Sequence, residues 1–132
     1  MQFSHLDHIA IAVSDTEAAL KIWRDKLGFK VLYAETVNGN SVLLTHLDLG
    51  NAQLQLVQPL TKDSRLVIAL KEKGPHLHHF CLYVDDVNQS WSDLKTRGIG
   101  TASGIHQGTN EKRALFVNIN ETDGIQLEIT GR

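Results

Sequence analysis

Two stretches decide how this chain folds: HIAIAVSD at positions 8–15 and HFCLYVDD at positions 79–86. Each opens on histidine, alternates apolar residues and closes on aspartate. A second pair answers them, AQLQLV at 52–57 and IQLEIT at 125–130. The first pair is 71 residues apart and the second 73, so little separates the copies in length. A chain that repeats itself at this spacing reads as two related halves of about sixty residues each, with Pro59–Pro75 between them.

Alternation turns each opening stretch into a strand. In the first, Ile9, Ile11 and Val13 share one face, and His8, Ala10 and Ala12 the other. In the second, Phe80, Leu82 and Val84 oppose His79, Cys81 and Tyr83. A helix follows each. Ser14 with Glu17 has the spacing of a capping box, and Ala19, Leu20, Trp23 and Leu27 make a buried stripe that Gly28 closes. In the second half Asp86 caps, Val87, Trp91 and Leu94 form the stripe, and Gly98 closes. Three strands then follow in each half, near 30–35, 41–49 and 52–58, and near 100–105, 113–119 and 124–130. Gly50-Asn51 and Asp123-Gly124 mark turns. A linker helix runs from about Asp63 to Lys73, with Leu66, Val67 and Leu70 inward. The predicted class is α+β: two tandem βαβββ modules, 6–60 and 76–131, joined by linker 61–75 in one domain, their sheet curving around a cleft.

The bulk numbers exclude several functions. A net charge of −2 gives no electrostatic footprint for nucleic acid. No apolar run reaches membrane-spanning length. The N-terminal residues lack a secretory pattern, which predicts a soluble cytoplasmic protein without membrane contact. Cys81 is the single cysteine, so an intrachain disulfide is excluded.

The polar residues of the repeat carry the chemistry. His8 and His79 are equivalent, and so are Gln55 and Glu128. Gln55 lies between Leu54 and Leu56, and Glu128 between Leu127 and Ile129, so alternation turns both away from the aliphatic face. A strand-central carboxylate is costly to bury unless paired, coordinated or wet. Two imidazoles, an amide oxygen and a carboxylate suit a divalent transition metal with positions left for water or substrate. Polar positions kept by descent from the duplication are the other reading.

Three segments carry a family likeness: LDHIAIAVSDTEAALKIWRDKLGFKV (6–31), LGNAQLQLVQPLTKDSRLVIALKEKGPHLHHFCLYVDDV (49–87) and GIQLEI (124–129). The chain resembles the vicinal oxygen chelate superfamily, which includes glyoxalase I, extradiol dioxygenases and bleomycin-resistance proteins, and most of all its methylmalonyl-CoA epimerase branch. The resemblance implies one divalent ion (Co, Ni, Zn or Mn) held by His8, Gln55, His79 and Glu128. It selects His79, not His78, from the run HLHHF. It implies proton transfer next to a carbonyl through a stabilised enolate, on a small acyl thioester or alpha-keto substrate, by a homodimer. A glyoxalase I-type lyase (lactoylglutathione lyase) and a non-catalytic binding protein are the alternatives.

The chain departs from the branch at two loops. Gly39 stands where epimerases carry a glutamate base, flanked by Asn38 and Asn40, and the nearest carboxylate is Glu35. In GTNEK, Glu111 occupies the second glycine of a Gly-x-x-Gly-Lys loop. Glu111 is therefore either a replacement acid/base beside Glu128 or a solvated charge. Lys112 matches the family lysine and is a candidate contact for a substrate phosphate or carboxylate. Cys81 reads as a buried thiol, Tyr83 as a cleft residue, and His5, His46 and His106 as surface or hydrogen-bonded singles.

Overall fold

The computed structural model describes residues 1–132, and these form two compact units, Ile9–His78 and Met1–His8 with His79–Arg132. The order of elements is βαβββ, helix, βαβββ: an α+β chain.

In the unit of residues 9–78, β2 (Val31–Val37), β3 (Val42–Asp48) and β4 (Gln53–Pro59) run antiparallel. The C-terminal half of β1 (His5–Ala12) lies beside β4, and the Val13 N–H donates to the Val57 carbonyl at 2.9 Å. Alternation gives this sheet two buried faces. Ile11, Val13, Leu47, Leu54 and Leu56 pack against Ala19 and Leu20 of α1 (Thr16–Leu20). Ala10, Leu44 and Val57 pack with Leu66 of α2 (Arg65–Lys73). Leu70 is the buried residue of α2, and Gly74 ends that helix at φ 70°. Ser64 caps it, so it begins two residues later than its sequence pattern indicates.

Two features of α1 differ from expectation. Asp15, not Ser14, is the N-cap, and its carboxylate accepts from the Ala18 N–H at 3.2 Å. The side-chain oxygen of Gln58 fixes this start, accepting from both the N–H and the hydroxyl of Thr16 at 2.8 and 2.7 Å. Leu27, expected in the buried stripe, is 59% exposed. Residues Lys21–Lys26 continue α1 as a π-helical segment, and the Leu27 N–H reaches back five residues to the Ile22 carbonyl. That wider turn rotates everything after it out of the α-helical phase.

In the other unit the N-terminal half of β1 neighbours β5 (His76–Val84), followed by β8 (Leu127–Gly131), β7 (Arg113–Phe116) and β6 (His106–Gln107). β5 and β8 are parallel, and β7 and β8 antiparallel. α3 (Val87–Thr96) is capped by Asp86 as expected and covers Val84, Leu115, Val117 and Ile129 with Val87 and Leu94. The expected strand at 100–105 is reduced to one bridge, Thr101 to Val117, and the ladder strand is His106–Gln107. β7 stops at Phe116. The Asn118 side chain then accepts from the Asn120 N–H and starts a 3-10 turn, Ile119–Thr122, that competes with the sheet. Asp123 and Gly124, at φ 55° and 85°, make the turn into β8. His76 begins β5, although the Gly-Pro before it places it in a turn by sequence. No helix is long and apolar enough to cross a membrane.

The cap assignment is open to direct measurement. Asp15→Ala is expected to cost about 1 kcal/mol in urea unfolding, whereas Ser14→Ala should stay within about 0.5 kcal/mol of the parent. The reverse ranking would restore Ser14 as the cap.

Candidate metal centre

Three neighbouring strands of one unit bring three donor atoms to one point. His8 from β1, His79 from β5 and Glu128 from β8 meet with Nε2 of His8 3.1 Å from Oε1 of Glu128, Nε2 of His79 3.4 Å from the same oxygen, and the two Nε2 atoms 3.3 Å apart. All three side chains are nearly enclosed, at 6, 7 and 12% exposure. The parallel register sets Glu128 beside Cys81, the residue after Phe80 on β5.

The triangle has the dimensions of a coordination face. Donors about 2.1 Å from a common ion at tetrahedral or octahedral angles lie about 3.0–3.4 Å apart. The charge pattern also asks for a cation. Nδ1 of His8 meets Oδ2 of Asp7 at 2.7 Å, which puts the ring proton on Nδ1. Nε2 then turns a lone pair toward the Glu128 carboxylate, an arrangement that repels unless a proton or a metal lies between. Burial would raise the Glu128 carboxyl pKa, but hydrogen bonds from His79 and His8 outweigh it and hold the group well below the usual carboxylate range. Burial likewise opposes charge on His8, and the bonds to Asp7 and Glu128 overcome it and raise the imidazole pKa. The residues present therefore fit a divalent ion, with two nitrogen donors and one anionic oxygen.

Behind the triad lies a support that the sequence did not disclose. The Lys112 ammonium donates to Oδ1 of Asp7 at 2.7 Å, so Asp7 is gripped between Lys112 and His8. Burial alone would raise the Asp7 pKa, and those two partners lower it instead. A carboxylate that fixes the tautomer of a ligand histidine raises its basicity and its precision of aim. Strand alternation predicts that positions 7 and 8 face apart, which is why spacing gave no sign of this pair. Lys112, expected to meet substrate, is committed to Asp7.

The remaining candidates separate. Gln55 is buried on β4, in the other unit, directly across from His46 on β3. Glu111 is exposed in a 3-10 turn and holds a φ of 62° where a glycine would be unstrained, outside the cluster of donors. His76 bonds the Gly74 carbonyl through Nδ1 at 2.7 Å, and its ring lies 6.4 Å from that of His78, in the unit of residues 9–78. Cys81 is fully buried, and burial first of all pushes its thiol far up in pKa, so it is no nucleophile. Tyr83 stacks on His5 at 4.8 Å. Of the two readings of His46, the hydrogen-bonded one holds: it is buried and bonded to Glu35 and Gln53.

Residues 5–129 match the family model of the Glyoxalase/Bleomycin resistance protein/Dioxygenase superfamily. The chain belongs to that superfamily. It is 32% identical over 126 residues to the human mitochondrial methylmalonyl-CoA epimerase, spanning 94% of this chain and 72% of that one. It is 32% identical over 128 residues to the ethylmalonyl-CoA/methylmalonyl-CoA epimerase of Cereibacter sphaeroides, spanning 94% and 95%. Among solved structures, a variant of the Streptomyces coelicolor methylmalonyl-CoA epimerase in complex with 2-nitronate-propionyl-CoA superposes with a TM-score of 0.89 at 26% identity, covering 98% of this chain and 95% of that one. The α+β architecture is thus the glyoxalase-like fold of this superfamily.

Cobalt titration tests the site within the superfamily frame. His79→Ala should weaken Co(II) affinity by more than about 100-fold, and Asp7→Asn by about 10- to 100-fold, the range for lost outer support of a ligand. His78→Ala should leave it within about threefold. Equal losses for His78→Ala and His79→Ala would reject the assignment.

Proposed function

We propose that this protein catalyses proton transfer at the carbon next to a thioester carbonyl, as a metal-dependent epimerase acting on a small branched acyl-CoA of the methylmalonyl-CoA type. The convergence of His8, His79 and Glu128 on one point carries this reading. A divalent ion so held supplies Lewis acidity that lowers the cost of an enolate oxygen.

The chain's own residues set the conditions for that chemistry. His8 and His79 bind as neutral donors, and Glu128 brings the one negative charge of the set, so a divalent site keeps a net positive charge for an anionic intermediate. Asp7 holds the His8 proton on Nδ1 and leaves Nε2 free to bind. Near-complete enclosure of the three ligands limits competing water and strengthens their electrostatics. The relatives that carry names of known activity are epimerases of acyl-CoA substrates, which favours this outcome over a lyase. A protein that merely sequesters a small molecule has no need of two imidazoles and a carboxylate within 3.4 Å of one another.

Protein loaded with Co(II) in deuterium oxide should incorporate deuterium at C2 of methylmalonyl-CoA. Removal of the ion by chelation should abolish incorporation, and readdition should restore it. Tight cobalt binding with no incorporation at all would discard the epimerase reading while keeping the metal site.

A further inference from the structure

We propose that Lys112 is a positioning residue that confines a divalent ion to the Nε2 side of His8, by occupying the carboxylate that would otherwise draw a cation to the Nδ1 side. The inference rests on the metal reading above. Every residue it uses belongs to the unit of Met1–His8 and His79–Arg132.

His8 stands between two groups of donors. On one side its Nε2 meets Glu128 at 3.1 Å and His79 at 3.3 Å. On the other, its Nδ1 meets Oδ2 of Asp7 at 2.7 Å, and Asp7, His8 and Cys81 offer donor atoms within 4.8 Å of one another. Imidazole, carboxylate and thiolate are all ligands of a zinc-type ion. Both sides are enclosed, with the Asp7 side chain at 15% exposure and Cys81 fully buried. The donor types alone do not choose between the two sides.

The Lys112 ammonium makes the choice. It donates to Oδ1 of Asp7 at 2.7 Å, so each oxygen of that carboxylate has a partner: Oδ1 the ammonium, Oδ2 the imidazole of His8. An ion arriving at Asp7 would have to displace the ammonium or sit beside it. Like charges that close repel strongly where little water screens them, and the Lys112 side chain is itself only 22% exposed. The ammonium also compensates the Asp7 charge. Glu128 is then the carboxylate left to attract a cation, and it lies on the Nε2 side.

The backbone is shaped to deliver this lysine. The β6–β7 connection is a tight hairpin in which the Gly108 N–H donates to the Lys112 carbonyl at 2.7 Å, and Asn110 and Glu111 take φ of 52° and 62°. A Cβ at Gly108 would lie 3.2 Å from that of Ala114 and 3.7 Å from Oγ1 of Thr130, so the hairpin is pressed against β7 and β8. From there the side chain passes Tyr83 of β5, with Nζ 6.0 Å from the ring centre, and reaches Asp7 on β1, 105 residues away in sequence. Backbone held at positive φ by its surroundings is a recurrent feature of functional sites.

Co(II) titration of the full chain decides the matter, read as affinity, absorption spectrum and the thermal midpoint of the metal-free protein. The parent should bind cobalt without a cobalt–thiolate charge-transfer band. Lys112→Met should weaken binding by about 10- to 100-fold, the range for a lost outer contact of a ligand, and should bring in that band. Lys112→Met/Cys81→Ser should lack it. Lys112→Arg, which keeps the charge, should hold the parental spectrum and an affinity within about threefold. Should Lys112→Met lower the midpoint, Lys112→Gln gives the same reading, because it keeps a hydrogen-bond donor for Asp7 and loses only the charge. Parental affinity and spectrum in both neutral variants overturn the proposal. So does weaker binding without the band, which makes Lys112 a support of His8 alone, and so does a thiolate band in the parent. A parent that binds no cobalt overturns the metal reading as well.

Discussion

Three polar groups meeting inside a sheet set the terms for everything around them. His8, His79 and Glu128 come from β1, β5 and β8, which lie side by side. Adjacent strands are about 4.8 Å apart, so residues on one face of three neighbours can reach a common point only if their registers agree. A slip of one residue in any of the three would turn its donor to the opposite face. The parallel pairing of β5 with β8, which sets Cys81 against Glu128, is therefore a condition of the site as much as of the fold.

The triad also explains an otherwise awkward loop. Asn110 and Glu111 sit at φ 52° and 62°, a conformation that side chains other than glycine adopt at a cost. The turn they make delivers Lys112 to Asp7, and Asp7 to His8. Strain on the exposed side of the chain is thus offset by charge-assisted hydrogen bonds on the enclosed side. Glu111 belongs to the strained turn, and Lys112 is held by Asp7.

A similar economy appears in the unit of residues 9–78. The apolar pattern on β3 and β4 is interrupted at His46 and Gln55, and the interruption is paired across the strands rather than scattered. The β2 bulge adds Tyr33 and Glu35 to it. Local irregularity here gathers polar groups on a face that is aliphatic farther along.

Much of this was written in the order of residues. The repeat gave both βαβββ modules, because alternation and helical stripes depend only on neighbours a few positions away. It also singled out His8, His79 and Glu128, since a duplicated strand keeps its donors at equivalent places. The likeness of three segments chose His79 over His78. What depended on more distant partners was not legible. Gln58 moved the first cap from Ser14 to Asp15, a π turn exposed Leu27, and the 3-10 turn at Ile119–Thr122 cut β7 short. Asp7 and Lys112 are 105 residues apart, and Glu35 meets His46 only because a bulge breaks the period of two. The sequence by itself determined which strands exist and which donors they bear. Tertiary structure alone decided which charges meet, because a hydrogen bond depends on distance and direction across strands, and neither is encoded in spacing along one of them.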